Sequence, residues 1–202
     1  MLFCLHLYDT AMSRPEPLHR AFETPDLLED WLKLNHATHT ELWVRIFKKT
    51  SGTPSVTWGD CVVAALVWGW IDGQKKSLDE VSFLQRLTPR RAKSNWSKVN
   101  TEHVERLIAA GRMQPTGQAH VDAARQDGRW AAAYAGSAQM VIPDDFLAAL
   151  RQNLAALAFY ETLNRANLYA IYHRLQTAKR PETRQKRLDQ MLAQLASGKA
   201  FH

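Results

Sequence analysis

Apolar positions along this chain change their spacing several times, and each change marks an element. After Thr24-Pro25, residues Leu27, Leu28, Trp31 and Leu32 recur at three- and four-residue intervals. That spacing predicts a helix with Thr24 as N-cap and Pro25 as its first residue, closing near Asn35. Glu41 to Lys48 is dense in β-branched and aromatic residues and is bounded by the turn cluster Thr50-Ser51-Gly52-Thr53-Pro54, which predicts a strand. Thr57 followed by Asp60 resembles a capping box with aspartate in the glutamate position. The run behind it is apolar on all sides, which predicts a core helix stopped by Gly69. Trp70 to Gln74 and Val81 to Leu87 predict two more strands, joined by the polar stretch Lys75 to Glu80.

From Asn100 the pattern becomes helical, with cap signals at Asn100 and Gly111, Thr116 and Gly128, Pro143 as a first-turn proline, Asn164, and Pro181 with Gly198. Leu168, Ile171, Tyr172 and Leu175 form one apolar stripe, and Leu188, Met191, Leu192 and Leu195 form another. The fold class expected is α+β: a small, mostly antiparallel sheet with helices in the first half and a helical second half. Residues 1–21 are expected to be a poorly ordered extension, with Met12 as a second possible start. An α+β lobe over 22–135 and a helical lobe over 140–202 packed on it follow, linked through Gly136 to Gln139. No internal repeat is visible.

Composition narrows the classes. With 46% hydrophobic and 23% charged residues the chain is ordinary for a globular protein, which excludes a disordered tail or a collagen-like repeat. No run approaches the roughly 20 apolar residues of a membrane-spanning helix. The opening Met1 to Tyr8 is apolar but short and lacks a basic start, so no signal peptide is expected and the cytoplasm is the expected compartment. Cys4 and Cys61 lie far apart, and Cys61 sits in an apolar run, so no disulfide framework is implied. The net charge of +6 favours anionic partners.

That charge gathers in two places. Arg86, Arg90, Arg91, Lys93 and Lys98 crowd around Trp96, with Lys75 and Lys76 a short way upstream. Arginine and lysine there can pair with phosphate oxygens while Trp96 stacks on a base. The opposed reading, a solvated basic loop with Trp96 plugging the core, is favoured on frequency alone. Arg174, Lys179, Arg180, Arg184, Lys186 and Arg187 form the second group, read as complements to a helix C-terminus. Asp72 is the most interesting acid, either a general base among apolar neighbours or a turn aspartate before Gly73, with the turn favoured. His36 and His39 lack further ligands, so no metal is expected, and the common nucleotide, serine-hydrolase and zinc-protease motifs are missing, so no cofactor is expected either.

Several segments in fixed order carry a family likeness: Leu42 to Lys49, Trp68-Gly69-Trp70-Ile71-Asp72-Gly73-Gln74, Thr88-Pro89-Arg90, Ser94 to Asn100, Gly111-Arg112-Met113, Asp127 to Tyr134, and Gln176 to Arg184. From about Phe22 to the C-terminus the chain resembles the YdeI/OmpD-associated, or bacteriocin-protection, family. The resemblance implies a bacterial cytoplasmic protein with a sheet-containing first half and a helical second half, and it transfers no catalytic residues. Three readings follow. The leading one is a module binding a polyanion, such as nucleic acid, through Lys75, Lys76, Arg86, Arg90, Arg91, Lys93 and Trp96. The second is an enzyme acting on a small phosphorylated or carboxylated metabolite, with Asp72 as acid or base and Arg86 or Lys98 holding the anion. The third is an interaction protein that forms a homodimer through the helical stripes.

Overall fold

A computed structural model of the chain describes residues 19–201. The apolar opening, Cys4 and the second start at Met12 lie outside the described residues. Within them the chain is α+β. Strands β1 (His19–Ala21), β2 (Leu42–Phe47), β3 (Trp70–Ser77) and β4 (Ser82–Pro89) accompany helices α1 (Pro25–Asn35), α2 (Trp58–Val67), α3 (Lys98–Ala109), α4 (Pro115–Gln126), α5 (Asp144–Arg151), α6 (Leu154–Tyr160), α7 (Arg165–Gln176) and α8 (Pro181–Ala196). The described chain divides into two compact units, one of residues 19–65 and 71–89, the other of residues 66–70 and 90–201.

The first unit is built on the sheet, in the order β1-β2-β4-β3. Strand β2 pairs antiparallel with β4, Trp43 opposite Arg86 and Val44 opposite Gln85, and parallel with β1, His19 opposite Trp43. Helix α1 begins as its caps predict: the Thr24 hydroxyl accepts from the Leu27 N–H at 3.4 Å. It buries Leu28 and Leu32 completely, while Leu27, on the same expected face, is half exposed. The box at α2 is reciprocal, since Thr57 N–H donates to Asp60 Oδ2 at 2.8 Å and Asp60 N–H to Thr57 Oγ1 at 3.2 Å. The buried amide of Gln85 is satisfied by donating to the carbonyls of Gly73 (3.0 Å) and Arg86 (3.2 Å).

Three expectations are corrected here. His19 to Ala21, assigned to the N-terminal extension, form an edge strand that three residues are too few to announce by periodicity. Lys75 and Lys76 lie in β3, not in the connection; a sheet edge leaves lysine side chains in water while the backbone pairs inward. Asp72 is likewise a strand residue. The turn aspartate is Asp79, which accepts from the Val81 N–H at 3.0 Å and the Ser82 hydroxyl at 2.7 Å and pairs with Arg45 at 2.7 Å.

The second unit is helical beyond Arg90. Phe146, Leu150, Ala156, Ile171, Leu175, Leu188, Met191 and Leu195 form one buried cluster. At about 1.5–3 kcal/mol for each large apolar side chain removed from water, this cluster is what holds α5 to α8 together. Of the two apolar stripes expected from the sequence, Ile171, Leu175, Leu188, Met191 and Leu195 lie in this core and Leu192 packs against it, while Tyr172 is buried outside the cluster and Leu168 is half-buried. Asn164 caps α7 as expected, accepting from the Asn167 N–H at 3.1 Å. Ser97, not Asn100, caps α3, accepting from the Asn100 N–H at 3.2 Å. Helix α4 starts at Pro115 behind Gln114, and Pro143 stands at the N-cap of α5. The short α6, capped by Asn153, had no signal strong enough to predict it.

Within this unit the start of α4 lies against the end of α2. Gln114 N–H donates to the Val67 carbonyl at 3.2 Å and the Thr116 hydroxyl to the Trp68 carbonyl at 3.2 Å. The approach is close enough that a Cβ on Gly117 would run into the Val67 carbonyl oxygen and stand 2.7 Å from that of Leu66. Gly117→Ala is therefore expected to destabilise the protein by about 3 kcal/mol. Gly111→Ala, at a left-handed position open to solvent, should cost only about 1–2 kcal/mol. Urea unfolding of the two variants measures the difference.

Candidate functional site

A cavity of about 540 Å³ opens in the second unit, a size suited to a small ligand. Three segments line it. Lys93, Asn95 and Trp96 come from the loop before α3; Asp127, Gly128, Arg129, Ala132 and Tyr134 from the stretch after α4; Gln176, Thr177, Ala178 and Lys179 from the α7–α8 connection.

Backbone pairing joins the first two segments: Tyr134 N–H donates to the Trp96 carbonyl at 3.0 Å and Lys98 N–H to the Tyr134 carbonyl at 2.9 Å. Arg129 adds a side-chain brace. Its Nε donates to both oxygens of Asp127 (2.8 and 2.7 Å) and its Nη1 to the Ser94 carbonyl at 2.9 Å. The third segment is held through α7, where the buried Tyr172 hydroxyl accepts from the Ala135 N–H at 2.8 Å. Trp96 forms a wall of the cavity and is 2% exposed. The Arg90 guanidinium lies 3.8 Å from its ring centroid, and the Trp130 ring packs at 4.9 Å.

The field in the cavity is positive. Lys93, Arg129 and Lys179 bring three cations, and Asp127 is the one carboxylate among the lining residues. The Arg129 hydrogen bond, assisted by the nearby charge of Lys179, holds the Asp127 carboxyl below the usual range. His120 is pushed down by burial and then by Arg90 and Arg129. Lys93 and Lys179 make no ion pair among the described residues, so both are available to an incoming anion.

The residues singled out in the sequence divide between the units. Lys75, Lys76 and Arg86 belong to the first, Arg90, Arg91, Lys93 and Trp96 to the second. Lys75 lies over the Phe83 ring at 4.0 Å, Lys76 is exposed, and Arg86 pairs with Glu41 at 2.7 Å. Arg90 is buried, donating from Nη1 to the Asn95 carbonyl at 3.1 Å. Trp96, covered by Arg90 and Trp130, is a core plug and offers no free face for a base. Arg91 is exposed. Asp72 accepts from the Trp58 indole N–H at 3.2 Å in the first unit and does not line the cavity. The two basic groups do meet, through Lys93 and Lys179. Sequence reasoning passed over Asp127, Arg129, Tyr134 and Thr177 as site residues.

Fold and site together define an α+β protein whose helical unit carries a cationic, ligand-sized cavity. Residues 20–120 match the family described as a domain of unknown function, DUF8412, and residues 139–198 match the family described as bacteriocin-protection, YdeI or OmpD-associated. The chain belongs to the DUF8412 family, whose model spans half of it, and its C-terminal part is similar to the YdeI/OmpD-associated, bacteriocin-protection family. The cavity draws Lys93 to Trp96 from the first match, Gln176 to Lys179 from the second, and Asp127 to Tyr134 from the stretch between. Of the segments expected to carry the family likeness, Gln176 to Arg184 lies within the YdeI/OmpD-associated match and Asp127 to Tyr134 lies outside both matches. No curated protein and no solved structure matches the chain. No described helix is long and apolar enough to cross a membrane.

Two outcomes test this description. Arg90→Ala should lower stability by about 2–3 kcal/mol, because it removes a buried charged hydrogen bond and uncovers Trp96, while Arg91→Ala should stay within about 0.5 kcal/mol; denaturant midpoints decide. Asp127 titrates lower in the folded chain than in the unfolded one, so its contribution is complete above the ordinary aspartate pKa of about 3.9 and is lost as pH falls through the depressed folded value. Asp127→Asn should therefore flatten the fall of stability on acidification below about pH 4.

Proposed function

We propose that this bacteriocin-protection-type protein acts in the bacterial cytoplasm by binding an anionic ligand, phosphate- or carboxylate-bearing, in the Lys93–Arg129–Lys179 cavity. One observation carries the reading: three cations from separate stretches of chain converge on one concave site whose carboxylate is already engaged by Arg129. Arginine locked by an acid on one side and a carbonyl on another is preorganised, and lysines at the rim supply charge without a fixed direction. The basic composition raises the local concentration of any anion.

A compact ligand suits the site better than a long polyanion. Arg90 and Trp96 are interior, and Arg86 is held by Glu41, which leaves Lys75, Lys76, Arg91 and Lys93 as the exposed remainder of the strip expected to bind nucleic acid. The metabolite-enzyme reading through Asp72 has no support from the cavity, since that carboxylate faces Trp58.

Titration calorimetry with inorganic phosphate, beside anisotropy with a labelled oligonucleotide, at two salt concentrations provides the test. Lys93→Gln and Lys179→Gln should each weaken phosphate binding about tenfold, roughly one charge-assisted hydrogen bond, and the weakening by salt should shrink with them. Phosphate binding indifferent to both substitutions removes the cavity as the site. Salt-sensitive oligonucleotide binding that survives both would return the surface strip to first place.

A further inference from the structure

A second cationic cavity, of about 410 Å³, lies between α7 and α8 in the same unit. His173, Arg174, Thr177, Arg187, Gln190 and Gln194 provide its polar lining, and it has no carboxylate among its lining residues. Thr177 lines both this cavity and the first. We propose that the two cavities are adjoining subsites for a single ligand carrying at least two anionic groups, with Thr177 at their junction, Lys93, Arg129 and Lys179 holding one group and Arg174 and Arg187 the other. The inference rests on the anion-binding reading of the first cavity and adds the charge number and extent of what it binds.

Arg187 has a structural duty that accounts for part of its placement. Its Nη1 donates to the Arg174 carbonyl at 2.7 Å and stands 3.4 Å from the Thr177 hydroxyl, so it complements the C-terminal end of α7. That duty engages one nitrogen and leaves other donors of the guanidinium for a ligand. Arg174 lies over the Phe201 ring at 4.7 Å, a contact that orients the guanidinium without neutralising it. Neither arginine makes an ion pair among the described residues. His173, which borders the cavity, is pushed down by burial and then by Arg187 and Arg174, as an uncompensated positive field requires. Gln190 and Gln194 add neutral donors from α8. The Thr177 hydroxyl, tied to the His173 carbonyl at 2.6 Å, holds the junction still.

Linear tripolyphosphate and inorganic phosphate are the probes, titrated calorimetrically into the whole chain and into Arg174→Gln and Gln190→Glu. Gln190 is exposed, so a carboxylate there tests the field without disturbing the core. Tripolyphosphate should bind the unaltered chain about tenfold or more tighter than phosphate, the gain expected when a second group binds from an already tethered position. That ratio should collapse toward one in both variants, and tripolyphosphate should shift the His173 imidazole resonance in the unaltered chain only. A ratio that is large but indifferent to Arg174→Gln and Gln190→Glu overturns the second subsite. Equal binding of both probes, sensitive to Lys179→Gln, overturns it too and leaves the first cavity standing. Failure of both probes to bind overturns both readings, and binding of phosphate without tripolyphosphate overturns the second subsite alone.

Discussion

Everything at the candidate site depends on the junction of two stretches of chain, residues 94–98 and 127–135. Two backbone hydrogen bonds between Trp96, Lys98 and Tyr134 set the spacing, and Arg129 fastens it by reaching from Asp127 to the Ser94 carbonyl. Without that junction the lining residues would sit on separate, unconnected loops. Loops are ordinarily the least ordered part of a fold, and placing functional groups on them needs a scaffold. Here the scaffold is partly the loops' own pairing and partly α7, which contributes the Tyr172 hydroxyl from inside the core.

The charges near the cavity serve two distinct ends. Arg90 is an interior residue: it has a carbonyl to donate to and an indole to cover, and burial without such partners would be costly. Lys93 and Lys179 are exterior, with long flexible stems and no ion pair among the described residues. A buried guanidinium stabilises the wall, and an exposed ammonium is what a ligand meets. Residue type does not separate the two roles; position in the packed unit does. The second basic group is divided too: Arg184 is held by Asp145, Arg187 gives one nitrogen to the end of α7, and Lys179 lines the first cavity.

The chain's elements were mostly legible in its residues because their causes are local. Thr24-Pro25, the Thr57 and Asp60 box, Asn164 and Pro181 each act within one helical turn, and each starts the helix it announces. The apolar stripes of α7 and α8 predicted the burial of six of their eight residues, with Leu168 and Leu192 half-buried. Misreadings fell where local signals compete. Asp72-Gly73 has the composition of a turn yet lies in β3, because pairing with β4 outweighs a dipeptide preference, and Asp79 performs the turn. Strand β1 and helix α6 are too short for a period to emerge.

The sequence by itself determined the α+β class, the starts of α1, α2, α7 and α8, most of the internal stripes, the excess of positive charge and the YdeI/OmpD-associated likeness of the C-terminal part. Each of these is a property of residues close together in the chain. Only the tertiary structure decided that Lys93 and Lys179, 86 positions apart, line one cavity, that Arg129 braces it, and that Arg90 and Trp96 lie inside the protein. The reason is physical: a cavity is a relation between distant segments set by packing and a few long-range hydrogen bonds. No window of neighbouring residues contains that information.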